Sequence, residues 1–362
     1  MNIRTQIFLS LLIFSYGVLA SDEFTLLKYP KNEFQPAQGE VFIIPVKVTT
    51  EATVKIDIFT PDGDLVRQLT SEKPLKIGKH RLSWDGKDSK GIIVPDEAYY
   101  PIAYATDNTG KTLIFDKRNT GGEVIYDLQM KITPEKNISF KLPYPARVLS
   151  RAGIKGGPML RTLSNWETKN TGKIVIRWDG FDADKLKDLR TNKKLSIMTR
   201  AYKLPEFSII TSGNKHLDYR KYRETLVKKT KAVSKKQYAL ERDGKRIERH
   251  YYYSKDINLN PDVSLKFIEE YPRNKEGHPI INCPCPIQVN LNTKDKVQLQ
   301  ESLYEIAFFV DNEFVSEQEQ GYVPFTWRWT PSGLSKGEHI LTVNVSGLRG
   351  EVGVKSLLFN VH

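Results

Sequence analysis

Hydrophobic and polar residues alternate at every second position over much of this chain. The alternation is clear in "FIIPVKV" at 42–48 and "TVKIDIF" at 53–59, which are rich in β-branched and aromatic residues. The turn "TPDGD", the run "LVRQL" and the run "GKHRLSWDG" follow directly. Such alternation is typical of strands with one buried face, and Gly, Pro and Asp mark the turns between them. The pattern predicts an antiparallel β-sandwich with a turn about every ten residues.

The same stretch occurs twice in the chain. Residues 44–88 align without a gap on residues 138–182, a shift of 94 positions, and thirteen of the 45 aligned positions carry the same residue type. Two Trp and six Gly are among the paired residues. The period is too long for a solenoid repeat and suits one sandwich. We therefore predict two copies of one sandwich domain.

Each copy ends a strand with a Trp-Asp-Gly-x-Asp turn. The Trp ring is expected to close the sandwich core, the first Asp to accept hydrogen bonds from the backbone two residues on, and the Gly to adopt a positive φ. The alternative is a calcium loop with Asp85 and Asp88 as ligands, but Lys stands where further oxygen ligands are needed. We predict structural roles for the turn residues Trp84, Asp85, Gly86, Trp178, Asp179 and Gly180.

The last hundred residues again alternate like strands. "VSLKFIEEY", "YEIAFFVDNEFV" and "EHILTVNVSG" are separated by turn residues, and they predict a third sandwich. In "TWRWT", Trp327 and Trp329 lie on one face of a strand. These two rings either stack on sugars or fill one face of a core, and the second outcome is the more common.

Residues from "VKIDIFTPDGDLVRQL" to "AYYPIAYATD" resemble the Ig-like domain of the flagellar hook-cap protein family, whose modules recur in exported bacterial proteins. The second copy, from "ISFKLPYPARVL" to "LSIMTRAY", is similar, and the last hundred residues resemble Ig-like modules of bacterial surface enzymes. Gly91, Val94, Pro95 and Tyr99 match the family's hairpin after the Trp, whereas Glu97 stands where Gly is usual. In the second copy, "ADKLKDLRTNKK" lacks this Gly and Pro. The resemblance implies Ig-like sandwiches, not hook assembly, because the module serves many tasks.

The first twenty residues have the pattern of a secretory signal peptide. One cation precedes an apolar run from Ile7 to Leu19, and small residues follow, so cleavage is expected before Ser21. The run is shorter than the roughly 20 residues that a membrane span needs. We expect an exported protein in the periplasm, at the cell surface or outside the cell, with no transmembrane segment in the mature chain.

The predicted fold is all-β, with three tandem Ig-like antiparallel β-sandwiches after a cleaved signal peptide. The predicted division is a signal peptide at 1–20, Ig-like domains at 21–125, 126–212 and 258–362, and a basic connector at 213–257.

Positive charge is concentrated in the connector. The chain has a formal net charge of +12, and residues 213–256 hold fourteen Lys and Arg against six Asp and Glu. Asp243 and Gly244 fit the turn of a long hairpin. Cations interleaved with Tyr suit a polyanion, although a solvated edge that prevents aggregation has the same composition. Anionic envelope polymers are nearer to an exported protein than nucleic acid, which is not expected as a partner. The candidate contact residues are Arg220, Lys221, Lys228, Lys229, Lys231, Lys235, Lys236, Arg246, Arg249, Tyr251 and Tyr253.

Cys283 and Cys285 are the chain's two cysteines, and only Pro284 separates them. With His278 upstream, the pair could bind Cu(I), form a strained disulfide, or lie free on one face of an extended strand. A redox or structural role is favoured over copper.

His80 and His339 each open a strand after a turn, which indicates surface positions rather than metal ligands.

The sequence favours a protein that is not an enzyme. It has no HExxH, GxSxG or phosphate-loop motif, and no cofactor is expected. We predict a non-catalytic exported scaffold or binding protein of a bacterial envelope or cell-surface assembly, with envelope or surface proteins or anionic polymers as partners. The alternatives are a metal or redox protein that uses the two cysteines, and a polysaccharide-binding accessory module.

Overall fold

The computed structural model describes residues 24–133, 135, 137–226, 239–255 and 259–362. These residues form three antiparallel β-sandwiches of the Ig-like type, so the chain is all-β as predicted. The predicted signal peptide, residues 1–20, lies outside the described residues. Within the described part, no helix is long and apolar enough to cross a membrane.

The first sandwich is built mainly from the start of the chain. Its strands are β1 (Phe24–Leu26), β2 (Glu33–Phe34), β3 (Phe42–Val48), β4 (Ala52–Phe59), β5 (Leu65–Thr70), β6 (Gly78–Trp84), β7 (Ala98–Asp107) and β8 (Thr112–Asp116), with short 3-10 turns at Pro36–Gln38 and Arg118–Thr120. One sheet has the order β1-β3-β6, and the facing sheet contains β5, β4, β7 and β8. Val54, Ile56 and Ile58 alternate into the core between the sheets, where they are fully buried.

The second sandwich repeats this arrangement. Its strands are β9 (Val124–Ile125), β10 (Lys131–Ile132), β11 (Ile138–Leu142), β12 (Ala146–Ile154), β13 (Met159–Lys169), β14 (Gly172–Ile176) and β15 (Leu195–Lys203), and the short strand β16 (Ile209–Thr211) follows. The sheet orders are β10-β11-β14 and β13-β12-β15-β9. Side chains such as Ile138, Phe140 and Val148 fill the space between them.

Residues 213–226 and 239–255 form a segment that we call the strap. It contains α1 (Tyr219–Thr225), β17 (Glu241–Arg242), β18 (Lys245–Arg246) and a 3-10 turn at Arg249–Tyr251. β17 and β18 form a hairpin whose turn residues Asp243 and Gly244 both have positive φ, at the position that the sequence predicts. The hairpin is much shorter than the predicted ribbon, because the strap begins with a helix and ends in turns.

The third sandwich follows the strap. Its elements are β19 (Val263–Phe267), β20 (Cys285–Leu291), α2 (Thr293–Ser302), β21 (Tyr304–Val310), β22 (Glu313–Gln318), β23 (Phe325–Trp329), β24 (Gly337–Gly347) and β25 (Val352–Val361). The sheet orders are β19-β20-β23 and β22-β21-β24-β25. Trp329 is buried in the core and Trp327 packs against it, so these rings fill a core face.

Two short strands pair with a different sandwich from the one to which the sequence assigns them. β9, placed in the first domain by the sequence, pairs with β15 of the second sandwich. β16, placed in the second domain, pairs with β7 of the first through Ile209–Tyr99 and Ile210–Ala98. The chain therefore returns to the first sandwich before the strap begins, because the apolar side chain of Ile210 packs there with Ala98 and Leu204.

The repeat seen in the sequence also appears in the hydrogen bonds. The Nη1 atom of Arg67 donates to the carbonyl oxygen of Asp88 at 3.1 Å, and Nη1 of Arg161 donates to that of Asp182 at 3.4 Å. All four residues are related by the shift of 94 positions. The repeated arginine thus holds the same turn against the same strand in both copies.

The second and third sandwiches are joined by polar contacts. The side-chain amide of Asn344 accepts from the backbone nitrogen of Met159 and donates to its carbonyl oxygen, each at 2.8 Å. The carboxylate of Asp184 accepts from the backbone nitrogen of Ser356 at 2.6 Å. The first two bonds join β13 to β24, and the third joins the segment after β14 to β25, so two strands of the third sandwich are held to the second sandwich.

A candidate binding pocket at the junction of the sandwiches

Glu97 and Arg147 form a buried ion pair where the first and second sandwiches meet. Glu97 comes directly before β7, and Arg147 lies at the start of β12. The Nη2 atom of Arg147 is 2.7 Å from Oε1 of Glu97, and both side chains are almost fully buried. The backbone nitrogen of Ala98 also donates to Glu97 at 2.7 Å. Since a desolvated charge left alone is costly, each residue of the pair needs the other.

Trp166 is the central residue of this junction. It lies at an irregularity in β13 with φ of 50°, a conformation that bulky residues rarely adopt. Its carbonyl oxygen accepts hydrogen bonds from Nη1 of Arg147 and Nζ of Lys255, both at 3.2 Å. Its buried indole packs on the rings of Tyr202 and His250, with centroid distances of 5.2 and 4.5 Å. Trp166 therefore contacts both its own sandwich and the strap.

A charged cluster holds the strap on the second sandwich. One carboxylate oxygen of Glu248 is 2.9 Å from Nδ1 of His250, and the other pairs with the guanidinium of Arg200. Burial opposes ionisation of Glu248, but the hydrogen bonds from His250 and Arg200 prevail and lower its pKa to about 2. The carboxylate is therefore ionised at neutral pH and binds its two partners as an anion.

A cavity of about 290 Å³ lies between the first sandwich, the second sandwich and the strap, and we call it the junction pocket. Six of its thirteen lining residues are aromatic, and three cations are the charged groups that line it. This volume is at the lower end for small-molecule sites. Aromatic faces beside cations can stack a ring and hold an acid group. The lining residues are Thr60, Pro61, Gly63, Tyr100, Arg118, Asn119, Arg147, Trp166, Tyr202, Tyr251, Tyr252, Tyr253 and Lys255.

Two cations of the junction pocket share one carboxylate. Arg147 contacts Oε1 of Glu97, and Nζ of Lys255 is 3.9 Å from Oε2 of the same residue. Burial lowers the pKa of Lys255 from its usual value, although the negative charge of Glu97 opposes this shift. The three groups together carry one more positive than negative charge when Lys255 is protonated.

The helix of the strap binds the first sandwich through its basic side chains. Nε of Arg223 donates to Oδ2 of Asp64 at 2.6 Å, and Nη1 lies 3.4 Å from Asp62. The hydroxyl of Tyr219 donates to Asp62 at 2.8 Å. Both aspartates belong to the turn after β4, so α1 covers one end of the first sandwich.

The same helix also contacts the third sandwich. Nη2 of Arg220 donates to Oε1 of Gln298 at 3.1 Å, and its Nη1 lies 3.9 Å from Asp295. Nζ of Lys294 donates to Glu224 at 2.7 Å. These partners lie on α2, so α1 connects the first and third sandwiches directly. The predicted string of separate domains is therefore a closed arrangement in which each sandwich contacts another or the strap.

The candidate polyanion residues fall into three groups in the structure. Arg220 and Tyr251 serve contacts between domains: the hydroxyl of Tyr251 donates to the carbonyl oxygen of Arg118. Lys221, Arg246 and Arg249 are exposed. Tyr253 lies in the junction pocket. The candidates Lys228, Lys229, Lys231, Lys235 and Lys236 lie outside the described residues.

The two Trp-Asp-Gly turns have the same geometry. Nε1 of Trp84 donates to the carbonyl oxygen three residues on at 2.9 Å, and Trp178 does the same at the same distance. Asp85 and Asp179 each accept from the backbone nitrogen two residues on, at 3.1 and 3.0 Å. Gly86 and Gly180 have φ of 72° and 83°, and both indoles are buried. The turns thus close the ends of two cores.

Cys283 and Cys285 differ sharply in environment. Both are free thiols, with Cys283 exposed and Cys285 fully buried in the core of the third sandwich. Burial raises the pKa of the Cys285 thiol to about 11. Among the described residues, no group of three or more His, Cys, Asp or Glu side chains could hold a metal ion. Of the arrangements that the sequence leaves open, two sulfurs on one face of a strand is not found, because Cys283 precedes β20 and is exposed whereas Cys285 is buried.

His339 is buried, which corrects the expected surface position. Its Nδ1 is 2.6 Å from Oδ2 of Asp311, and its Nε2 is 2.8 Å from the carbonyl oxygen of Ser335. The ring stacks on Phe359, at the end of the third core. His80 is half-buried in β6, and its Nε2 lies 2.6 Å from the carbonyl oxygen of Lys76. Both imidazoles therefore stabilise turns.

Sequence reasoning did not identify Arg147, Trp166 and Lys255 as functional candidates. The sequence marks Glu97 as a departure from the hook-cap resemblance but indicates no partner for it. Trp166 has no match in the other copy of the repeat, where Glu72 stands, and Glu97 lies beyond the 45 aligned positions. A large residue that occurs in one copy alone is the signal that could have indicated this junction.

No family model and no curated protein matches this chain. Among solved structures, it is similar to FlgD from P. aeruginosa at 21% identity and a TM-score of 0.22, over 26% of this chain and 68% of that one. It is similar to the fibronectin(III)-like modules of Clostridium thermocellum CbhA at 10% identity and a TM-score of 0.21, over 93% of each chain. A tetra-tandem repeat from the extending region of a large adhesion protein matches at 10% identity and a TM-score of 0.20, over 94% of this chain and 74% of that one. These scores are too low to support an argument about function, and the Ig-like class rests on the chain's own strands and sheets.

Proposed function

We propose that this chain is an exported, non-catalytic scaffold or binding protein of a bacterial envelope or cell-surface assembly. The observation that carries the proposal is the strap, whose helix contacts the first sandwich through Arg223 and the third through Arg220. An arrangement held at three junctions presents its loops and sheet edges in fixed positions. Binding surfaces that are fixed in advance lose less entropy when a partner associates.

We further propose that the first two sandwiches are copies of the module used by the hook-cap family. Support comes from the repeated bonds of Arg67 and Arg161 and from the matched turns at Trp84 and Trp178. The hook-cap role itself is not part of the proposal, since Ig-like modules serve many functions.

The proposed partners are envelope or surface proteins, or the anionic polymers of the envelope. Lys221, Arg246 and Arg249 are exposed on the strap, and the strap's two parts flank the lysine-rich residues 227–238. Clustered cations attract polyanions and increase the rate of association. The periplasm, the cell surface and the extracellular medium are the proposed locations, and the leader sequence supports export.

The test compares two variants with the same change in charge. In the first, Lys228, Lys229, Lys231, Lys235 and Lys236 become Gln; in the control, the exposed sandwich lysines Lys73, Lys76, Lys79, Lys141 and Lys173 become Gln. Each purified protein is incubated with envelope fractions, and the bound proteins and polymers are identified. We expect partners retained by the wild type and the control to be lost from the first variant. Equal binding by both variants, or no partner for the wild type, would contradict the proposal.

A further inference from the structure

Three cations and six aromatic residues line the junction pocket, and no carboxylate is among its lining residues. We infer that it binds an acidic sugar unit of an anionic envelope polymer, with the sugar ring against the tyrosines and the acid group on Lys255. This inference rests on the proposed function as an exported binding protein and names the ligand class for one site on it.

The lining of the pocket favours an anion. Its charged residues are Arg118, Arg147 and Lys255, and no carboxylate is among the lining residues. Arg147 and Lys255 share the carboxylate of Glu97, at 2.7 and 3.9 Å. An acid group in the pocket therefore faces cations, and a charge-assisted hydrogen bond is stronger than a neutral one.

Lys255 can donate to such a group. Its ammonium carries three N–H donors, and the hydrogen bond to the carbonyl oxygen of Trp166 uses one of them. The side chain is only 16% exposed and lines the pocket. A charge-assisted bond from a lysine in such a dry site is stronger than one formed at the surface.

The walls suit one sugar ring. Tyr251, Tyr252 and Tyr253 follow one another along the strap and line the pocket, and the buried residues Trp166 and Tyr202 also line it. Aromatic rings offer an apolar face to a ligand, and tyrosine adds a hydroxyl for hydrogen bonding. The volume of about 290 Å³ limits the occupant to a small group, such as a chain end or a side branch of a polymer.

The experiment measures quenching of tryptophan fluorescence by four probes: glucuronate, glucose, inorganic sulfate and AMP. Trp166 lies in the pocket wall and serves as the reporter. We expect saturable binding of glucuronate that is at least about tenfold tighter than that of glucose, sulfate or AMP, because the site needs both ring and acid. Absence of saturable binding, equal binding of sulfate, or tighter binding of AMP would each overturn the inference.

A matched pair of variants locates the site. Lys255→Met keeps most of the apolar stem and removes the charge in the pocket, and Lys245→Met makes the same change on an exposed lysine of the hairpin. We expect a loss of about tenfold or more in glucuronate affinity for Lys255→Met and less than twofold for Lys245→Met. Equal effects would overturn the inference. If Lys255→Met does not fold, the comparison of probes on the wild type still decides it. If the wild type captures envelope partners but does not bind glucuronate, the inferred ligand class is wrong and the proposed function still stands.

Discussion

Glu97 shows how a single charged residue joins two domains. The resemblance to the hook-cap module predicts a Gly at this position, and the glutamate found here reaches Arg147 of the next sandwich at 2.7 Å. The sequence could indicate that Glu97 was unusual. It could not indicate the partner, because Arg147 is fifty residues away and its depth in the junction depends on how the two domains pack.

Glu97→Gln is expected to lower the free energy of unfolding by about 3 kcal/mol or more, because Arg147 then keeps a buried charge without a partner. Glu123→Gln is the matched control, since the partner of Glu123, Lys245, is 62% exposed. An exposed pair of this kind contributes at most about 1 kcal/mol. Urea denaturation measures both values. Similar losses in the two variants would contradict the role assigned to Glu97.

The two cysteines lead to a second prediction at this scale. Cys283 is exposed, whereas burial raises the pKa of Cys285 to about 11, and only the thiolate reacts quickly. Ellman's reagent at pH 8 is expected to modify one thiol rapidly in the native protein, and a second only after denaturation. In Cys283→Ser the rapid phase should disappear. Two rapid thiols in the native protein would revive the metal or redox alternative.

At the scale of elements, the strands and their turns could be predicted well because their signals are local. Alternation gave β3, β4 and β11, and the residues Asp85 and Asp179 accept the backbone bonds that their type favours. The hairpin after Trp178 has no Gly at the position that matches Gly91, yet Lys185 keeps a positive φ of 61° there. The surrounding turn imposes this conformation on a residue that disfavours it.

The two turn glycines should respond differently to substitution. A Cβ atom at Gly86 would lie 2.3 Å from Cβ of Pro36, whose ring cannot move aside, whereas at Gly180 it would meet the flexible side chain of Arg190. Both alanine variants lose about 1–2 kcal/mol because of the positive φ. We expect Gly86→Ala to lose about 1–3 kcal/mol more through steric overlap. Thermal unfolding of the two variants provides the comparison, and a larger effect for Gly180→Ala would contradict this packing.

The strap could not be predicted in the same way. Its charge and tyrosines indicated a surface ribbon, yet Arg220 and Arg223 of α1 point their guanidinium groups at α2 and at the turn after β4. The sequence pattern around a basic residue does not distinguish whether that residue contacts solvent, a polymer or a distant aspartate. The distinction depends on contacts between residues that are far apart in the chain.

At the scale of the whole molecule, the closed arrangement is the main difference from the expected string of domains. Three junctions contribute: the pair of Glu97 and Arg147, the contacts of Asn344 and Asp184 with the neighbouring sandwich, and the strap helix. Each junction includes polar contacts between residues of separate domains. Repeats and alternation describe what happens within a domain, and so they carry little information about such junctions.

The central claim is that the strap and the junctions hold the three sandwiches as one unit. Pulsed electron–electron double resonance measures the distance between two spin labels and can test this claim. The labels are attached at Thr112→Cys in β8 and Glu317→Cys in β22, which are exposed positions on the first and third sandwiches. The labelled protein also carries Cys283→Ser, and the buried Cys285 is left in place. We predict a single narrow distribution of distances between the labels, which becomes broader when Arg220 and Arg223 are both replaced by Met. A broad distribution in the protein with an intact strap would contradict the account.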